Sequence, residues 1–178
     1  METDGTAFRL RFTRRLGHPQ HAVWRALTDP EQLAAWFPQR IEGLDGDPAG
    51  IWRTGAEITF RDPQGRGPAF TGEVLAFEPE TLVEFSWGTD TIRLELAADG
   101  ADASVLTLLD TLEQHGTGAR NAAGWHECLD YLGCALDGRK PDFRPGQRWA
   151  QTHPRYVRAL GPEAATIGPP PGRQPPSE

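Results

Sequence analysis

The chain has 178 residues, of which 38% are apolar, and carries a formal charge of −7. Lys and Arg are scattered singly, so the sequence disfavours binding to nucleic acid or to an anionic membrane surface. No segment approaches the roughly 20 consecutive apolar residues that a membrane span needs. Because the polar, acidic residues 1–5 are also unlike a signal peptide, we expect a cytoplasmic protein with a single main domain.

The first part of the chain predicts one strand followed by two short helices. Residues 6–14 alternate apolar and polar side chains, which is typical of a half-buried strand. A short apolar stripe within residues 22–27 predicts the first helix. Asp29 stands immediately before a proline and has the pattern of an N-cap, so we expect a second helix over about residues 31–36.

The middle of the chain predicts a series of strands. Residues 39–50 are rich in glycine and predict a loop. Strand-like runs separated by short turns follow, over residues 51–54, 56–61, 69–78, 80–87, 90–98 and 103–112. Consecutive strands joined by short turns favour an antiparallel meander over a parallel sheet with crossover helices.

The last part of the chain predicts a long helix, a weaker helix and a tail. The long helical pattern covers residues 119–137 and ends before Gly138. Its apolar stripe, with spacings of three and four residues, consists of Ala122, Trp125, Leu129, Leu132 and Leu136. A second helical pattern over residues 147–160 is interrupted by Pro154. Residues 162–178 are rich in proline and are expected to be disordered.

This order of elements favours a sheet that curls around the long helix. One amphipathic helix cannot cover a flat sheet of six or seven strands, whereas a curved sheet buries the apolar faces of both and leaves a cavity where they diverge. We therefore predict an α+β fold with a curved antiparallel sheet of six to seven strands around a long C-terminal helix, and two short helices after the first strand. The expected parts are a domain over residues 1–138, a helical extension over 139–161 and a tail over 162–178.

Three segments resemble a known family. They are residues 22–37, residues 72–87 and residues 124–136, and the second contains Leu-Val-Glu-Phe-Ser-Trp after a Glu-Pro turn. In this order they resemble the START-like (SRPBCC) superfamily, in the branch similar to activators of the ninety-kilodalton heat-shock protein ATPase, over residues 6–138. Residues 149–165 resemble an extension of bacterial members. The resemblance implies the helix-grip fold, which hosts transporters, cyclases, hydrolases and co-chaperones.

The helix-grip fold implies which side chains look inward. The inward-facing side chains of the strands and of the long helix would line the cavity with aromatic groups, which suit a flat or hydrocarbon ligand. The alternative for any one of them is that it fills the core. The predicted ligand-binding residues are Trp36, Phe37, Trp52, Phe60, Phe70, Phe85, Trp87, Leu94, Leu108, Trp125 and Leu129.

Asp110 is the candidate for catalysis. It follows Leu106 and Leu108 in alternation, which places it on the inward face, where an unpaired carboxylate is costly and often functional. The alternative, which we favour because buried unpaired Asp is rare, is that Asp110 lies at a hydrated rim. The candidate partners for catalysis are His126 and Arg93.

No motif points to a metal or cofactor. The histidines have no HxH, HxxxH or HExxH spacing, and Cys128 and Cys134 form no CxxC pair. Six residues apart on a helix, the two cysteines would point in different directions and could not form a disulfide bond. GxSxG, Walker and dinucleotide-binding motifs are also absent.

These observations favour a module that binds a small hydrophobic or aromatic ligand without catalysis. A polyketide-cyclase-like enzyme is the second hypothesis, since the same pocket could fold a reactive chain. A protein-interaction module similar to the chaperone activators, with a protein partner, is the third. The sequence leaves the identity of the ligand and the oligomeric state open.

Overall fold

A single antiparallel sheet is the main element of the fold. The computed structural model describes residues 2–4, 7–43 and 52–168. Within these ranges the strands are β1 (Glu2–Asp4), β2 (Ala7–Leu16), β3 (Arg40–Gly43), β4 (Glu57–Arg61), β5 (Phe70–Glu78), β6 (Leu82–Trp87), β7 (Asp90–Ala98) and β8 (Ser104–Leu112). Their order across the sheet is β1-β2-β8-β7-β6-β5-β4-β3. The first long strand therefore pairs with the last, and the others form a meander.

Four α-helices accompany the sheet in the described ranges. They are α1 (Gln20–Thr28), α2 (Pro30–Leu33), α3 (Gly118–Leu136) and α4 (Gln147–Leu160), and short 3₁₀ helices cover His115–Thr117 and Pro162–Ala165. None of these helices is long and apolar enough to cross a membrane. The predicted α+β helix-grip fold, with two short helices after the first long strand and a long C-terminal helix, is confirmed.

The caps and turns of the helices largely follow the predicted chemistry. Asp29 caps α2 as predicted, because its carboxylate accepts hydrogen bonds from the backbone N–H groups of Glu31 and Gln32. The predicted interruption of α4 at Pro154 is wrong, since the helix continues through this exposed residue. Cys128 and Cys134 are both buried and are not joined by a disulfide bond.

Two segments between α2 and β4 differ from the prediction. The predicted strand over residues 51–54 is wrong for residues 52–54, which form a bend and a turn. Trp52 supplies the apolar signal there by packing into the core, and its indole N–H donates to the carbonyl oxygen of Thr28 at 2.6 Å. Part of the predicted loop is the strand β3. Only one of its four residues, Ile41, is buried, so the sequence shows no alternation of apolar and polar residues there. Residues 44–51 lie outside the described ranges.

The core lies between the concave face of the sheet and helices α1 to α3. Its centre is aromatic: the ring of Phe37 has neighbours with centroids 5.7–6.3 Å away, namely Trp36, Phe60, Phe85, Trp87 and Trp125. Large side chains thus occupy most of the space in which the sequence predicted an internal cavity.

The beginning of the predicted disordered tail packs against the domain. In the 3₁₀ helix Pro162–Ala165 the side chain of Ala164 is 0% exposed. The backbone N–H of Ile167 donates to the carbonyl oxygen of Gly116 at 3.0 Å. The prediction of disorder is therefore wrong for residues 162–168, because one small buried residue and a backbone hydrogen bond leave no pattern in the sequence. Residues 169–178 lie outside the described ranges.

This packing predicts that residues 162–168 contribute to stability. A chain that ends at Gly161 is expected to lose about 1–2 kcal/mol, or a few degrees in Tm, relative to a chain that ends at Gly168. Thermal unfolding of the two chains by circular dichroism measures the difference. Equal Tm values would mean that Ala164 and Ile167 add no stability.

Candidate ligand-binding site

A cleft of about 500 Å³ opens where β6 turns into β7. Its walls come from this turn, from the segment between β4 and β5, from Pro38 and Gln39 after α2, and from helix α3. Trp149 of α4 completes the wall. The cleft lies at one end of the sheet, where Trp87 and Trp125 separate it from the rest of the aromatic core.

Aromatic side chains form one wall of the cleft. The rings of Trp87 and Trp125 lie 5.4 Å apart between centroids, and Phe70 lies on the side of β5. Trp87 and Phe70 are half-buried, whereas Trp125 is only 2% exposed, so the first two supply most of the accessible aromatic surface. The indole N–H of Trp87 donates to Oε1 of Gln39 at 3.1 Å, which fixes its ring.

The predicted ligand-binding residues divide into two groups. Phe70, Trp87 and Trp125 line the cleft. The other eight lie in the core and are each at most 8% exposed: Trp36, Phe37, Trp52, Phe60, Phe85, Leu94, Leu108 and Leu129. The eight residues of the second group therefore fill the core, as the alternative interpretation of the sequence had it. Only the three residues of the first group come together at an accessible surface.

Asp110 lies behind the cleft and not at a rim. Strand alternation located it correctly: the side chain is 0% exposed, so the hydrated position that we favoured is wrong. Its Oδ2 accepts hydrogen bonds from the indole N–H of Trp125 at 2.8 Å and from the amide of Asn121 at 3.2 Å. Its Oδ1 has no partner among the described residues. Burial, together with the nearby charge of Asp90, raises the pKa of Asp110 to about 7, although the two hydrogen bonds oppose the rise.

The predicted catalytic partners of Asp110 are not beside it. Arg93 lies on the opposite face of the sheet, where it forms ion pairs with Glu84 at 2.8 Å and Glu95 at 2.7 Å. Nδ1 of His126 makes its hydrogen bond, of 2.9 Å, with the hydroxyl group of Tyr156. The two candidate pairs of a cyclase-like site are therefore absent from the described residues.

Asn121 is a site residue that sequence reasoning missed. Its Nδ2 donates to Oδ2 of Asp90 at 3.1 Å and to Asp110, while its Oδ1 accepts from Nε of Arg120 at 3.3 Å. The spacing of four residues between Asn121 and Trp125, which places both on one face of α3, could have found it. Asp90 and Arg120 had no such signal, because only the tertiary structure brings the β6–β7 turn to the start of α3.

A buried carboxylate attaches α4 to this site. Glu127 is 5% exposed, and its two oxygens accept the backbone N–H groups of Gly146 at 2.8 Å and Trp149 at 2.9 Å. Backbone N–H groups at the start of a helix have no partner within the helix, so these two donors of α4 are available to Glu127. A negative charge is also favourable at this end of a helix. The indole N–H of Trp149 in turn donates to the carbonyl oxygen of Arg120 at 3.0 Å, so Glu127 helps to position one wall of the cleft.

The described residues contain no group of three or more His, Cys, Asp or Glu side chains placed to hold a metal ion. The chemistry that the cleft offers is aromatic contact and hydrogen bonding. One group of polar side chains, Asp90, Arg120 and Asn121, is joined by hydrogen bonds where the β6–β7 turn meets the start of α3.

Several solved structures share this fold. The conserved protein EF2215 of unknown function from Enterococcus faecalis has a TM-score of 0.69 at 20% identity, over 88% of this chain and 86% of that chain. CalU16 from Micromonospora echinospora has a TM-score of 0.65 at 22% identity, over 89% of each chain. DynU16, a protein in the dynemicin biosynthetic locus, has a TM-score of 0.60 at 26% identity, over 76% of this chain and 51% of that chain. Comparison with curated proteins gives no match.

The sequence also matches a family model, described as activator of Hsp90 ATPase homolog 1-like protein, over residues 18–137. This range includes α1 to α3 and strands β3 to β8, well over half of the chain. The predicted resemblance to this branch of the START-like superfamily is thus confirmed, and the chain belongs to the family of activator of Hsp90 ATPase homolog 1-like proteins.

Proposed function

We propose that this protein binds a small, flat aromatic ligand in the cleft beside Trp87 and does not catalyse a covalent reaction on it. The observation that carries the proposal is the cleft itself. Its volume of about 500 Å³ falls within the range of small-molecule sites, and it combines aromatic walls with a few fixed polar groups.

The arrangement of the aromatic rings supports this ligand class. The indole N–H groups of Trp87 and Trp125 already donate to protein oxygens, so the ring faces are what the cleft offers. Offset or edge-to-face contact with such faces favours a planar ring over a branched aliphatic chain. The structural neighbour DynU16 comes from a biosynthetic locus, which agrees with a role on a small molecule.

The two alternative functions have less support. The acid–base candidate for a cyclase-like enzyme, Asp110, lies beneath Trp125 and Asn121 and does not line the cleft, so it would not contact a substrate there. A protein-interaction module would favour an exposed apolar patch, and in the described ranges Leu75 is the single large hydrophobic side chain that is well exposed. A cytoplasmic location remains part of the proposal.

Titration with a neutral two-ring probe tests the proposal. We expect 2-naphthamide to bind the full chain in isothermal titration calorimetry, and we expect Trp87→Leu to weaken the affinity about fivefold or more through lost ring contact. The matched control is Phe8→Leu, which removes a half-buried ring that stacks on His115 away from the cleft. This control is expected to change the affinity by less than about twofold. Equal weakening in both variants would contradict the proposal, and so would absence of binding by both this probe and its carboxylate analogue, 2-naphthoate.

A further inference from the structure

One cationic side chain of the cleft, Arg120, has only neutral partners among the described residues. Arg120 lines the cleft from the start of α3 and is half-buried. Its Nε donates to Oδ1 of Asn121 at 3.3 Å, and its Nη1 donates to the carbonyl oxygen of Gly168 at 3.2 Å. No carboxylate in residues 8–43 and 52–168 lies within ion-pair distance of this guanidinium.

The other charged groups of the cleft already have partners. Arg66 forms an ion pair with Asp62 at 3.3 Å. The two oxygens of Asp90 accept hydrogen bonds, one from the backbone N–H of Glu113 at 3.0 Å and one from the amide of Asn121 at 3.1 Å. Among the described residues, Arg120 is therefore the cation of the cleft that no carboxylate neutralises, and two of its five N–H donors are used.

The orientation of this guanidinium is fixed by its neighbours. The amide nitrogen of Asn121 faces two carboxylates, Asp90 and Asp110, so the amide oxygen has to face Arg120; the reverse orientation would place an oxygen against two acceptors. The amide also stands between the carboxylate of Asp90 and the guanidinium. A side chain held in this way loses less conformational entropy when a ligand binds to it.

We propose that the ligand of the cleft carries an anionic oxygen, such as a carboxylate or phenolate, on its aromatic ring, and that Arg120 binds this oxygen. The inference rests on the proposed function and specifies its ligand class. The planar guanidinium suits the two oxygens of a carboxylate, and the aromatic wall with Trp87 contacts the ring at the same time. Arg120 then determines specificity, because it distinguishes an aromatic acid from a neutral molecule of the same shape.

Two probes of matched shape test this inference. In calorimetric titrations 2-naphthoate is expected to bind the full chain more tightly than the neutral 2-naphthamide. Arg120→Gln is expected to weaken naphthoate binding about tenfold or more, and naphthamide binding less than about twofold. Arg120→Lys retains the charge without the planar fork and is expected to lose less than Arg120→Gln. Arg158→Gln is the control: it makes the same charge change at an exposed position of α4 outside the cleft, and it is expected to leave both affinities unchanged.

The outcomes separate the inference from the proposed function. If both probes bind but naphthoate has no advantage, or if Arg120→Gln weakens both probes equally, the inference is overturned while the proposed function stands. If neither probe binds the wild-type chain, the proposed function fails, and the inference with it. If Arg120→Gln does not fold, Arg120→Lys decides: equal losses for the two probes overturn the inference, and a loss confined to naphthoate supports it.

Discussion

Replacement of Trp125 by alanine is expected to lower the free energy of unfolding by about 3–5 kcal/mol. The side chain is 2% exposed in the middle of the apolar stripe of α3, and its ring lies 5.7 Å from that of Phe37 and 5.4 Å from that of Trp87. Its removal creates a cavity and takes one of the two hydrogen bonds from the buried carboxyl group of Asp110. Urea unfolding measures the loss.

Trp125→Phe is the control for this prediction. It keeps most of the ring volume and removes the N–H group, so a smaller loss of about 1–2 kcal/mol is expected. A loss below about 1 kcal/mol for Trp125→Ala would mean that the side chain is not packed, and would contradict the arrangement of α3 against the sheet.

The contribution of Asp110 to the stability of the protein is expected to fall as the pH rises from about 4 to about 7. The folded-state pKa of Asp110 is raised to about 7 from an ordinary value of 3.8, chiefly by burial. Between these values the folded chain holds a proton that the unfolded chain has released, so an increase in pH favours unfolding. The stabilisation is fully present below pH 3.8 and is lost by about pH 7, with a magnitude of a few kcal/mol and at most about 4 kcal/mol.

Asp110→Asn isolates this contribution. The amide keeps an oxygen for the indole N–H of Trp125 and does not titrate in this range. The difference in unfolding free energy between the two proteins should therefore change with pH, in favour of the asparagine variant near pH 7. The lowered pKa values of His126 and His153 give an opposite slope in both proteins and cancel in the difference. A difference that does not change from pH 4 to 7 would contradict the buried position of the carboxyl group.

The same variant separates binding from catalysis. Because Asp110 does not line the cleft, Asp110→Asn is expected to leave the affinity for 2-naphthamide within a few-fold of the wild-type value. If the wild-type chain converts a co-purified ligand, as followed by mass spectrometry, and the variant binds it without converting it, Asp110 acts in catalysis. That result would replace the proposed binding function by an enzymatic one.

Long periodic segments were predictable from the sequence. Strands β5 to β8 and helix α3 were predicted to within two residues at each end. Each is long enough to repeat its pattern of apolar residues several times, and each is bounded by residues typical of turns. The strand β3 was missed because four residues carry too little periodicity. Trp52 misled the prediction, because a buried aromatic side chain in a turn has the same appearance in sequence as one in a strand.

The site was less predictable than the fold. An inward-facing side chain either fills the core or lines a cavity, and this depends on the volumes that meet from different elements. Phe37 and Phe60 interlock in the core, whereas Trp87 lies at a strand end where the opposing elements diverge. The polar edge at Arg120 and Asp90 depends on contacts between segments about 30 residues apart, for which one sequence contains no pattern.

The central claim, that an aromatic ligand binds in the cleft and not inside the core, is tested most directly by the indole N–H resonances in ¹⁵N-resolved NMR spectra during a titration with 2-naphthamide. We predict progressive shifts of the Trp87 and Trp125 resonances, which belong to the cleft, and none at Trp36 and Trp52, whose indoles donate to backbone carbonyl groups within the core. Shifts at Trp36 and Trp52 without shifts at Trp87, or no shift at any of the four with this probe and with 2-naphthoate, would contradict binding in the cleft.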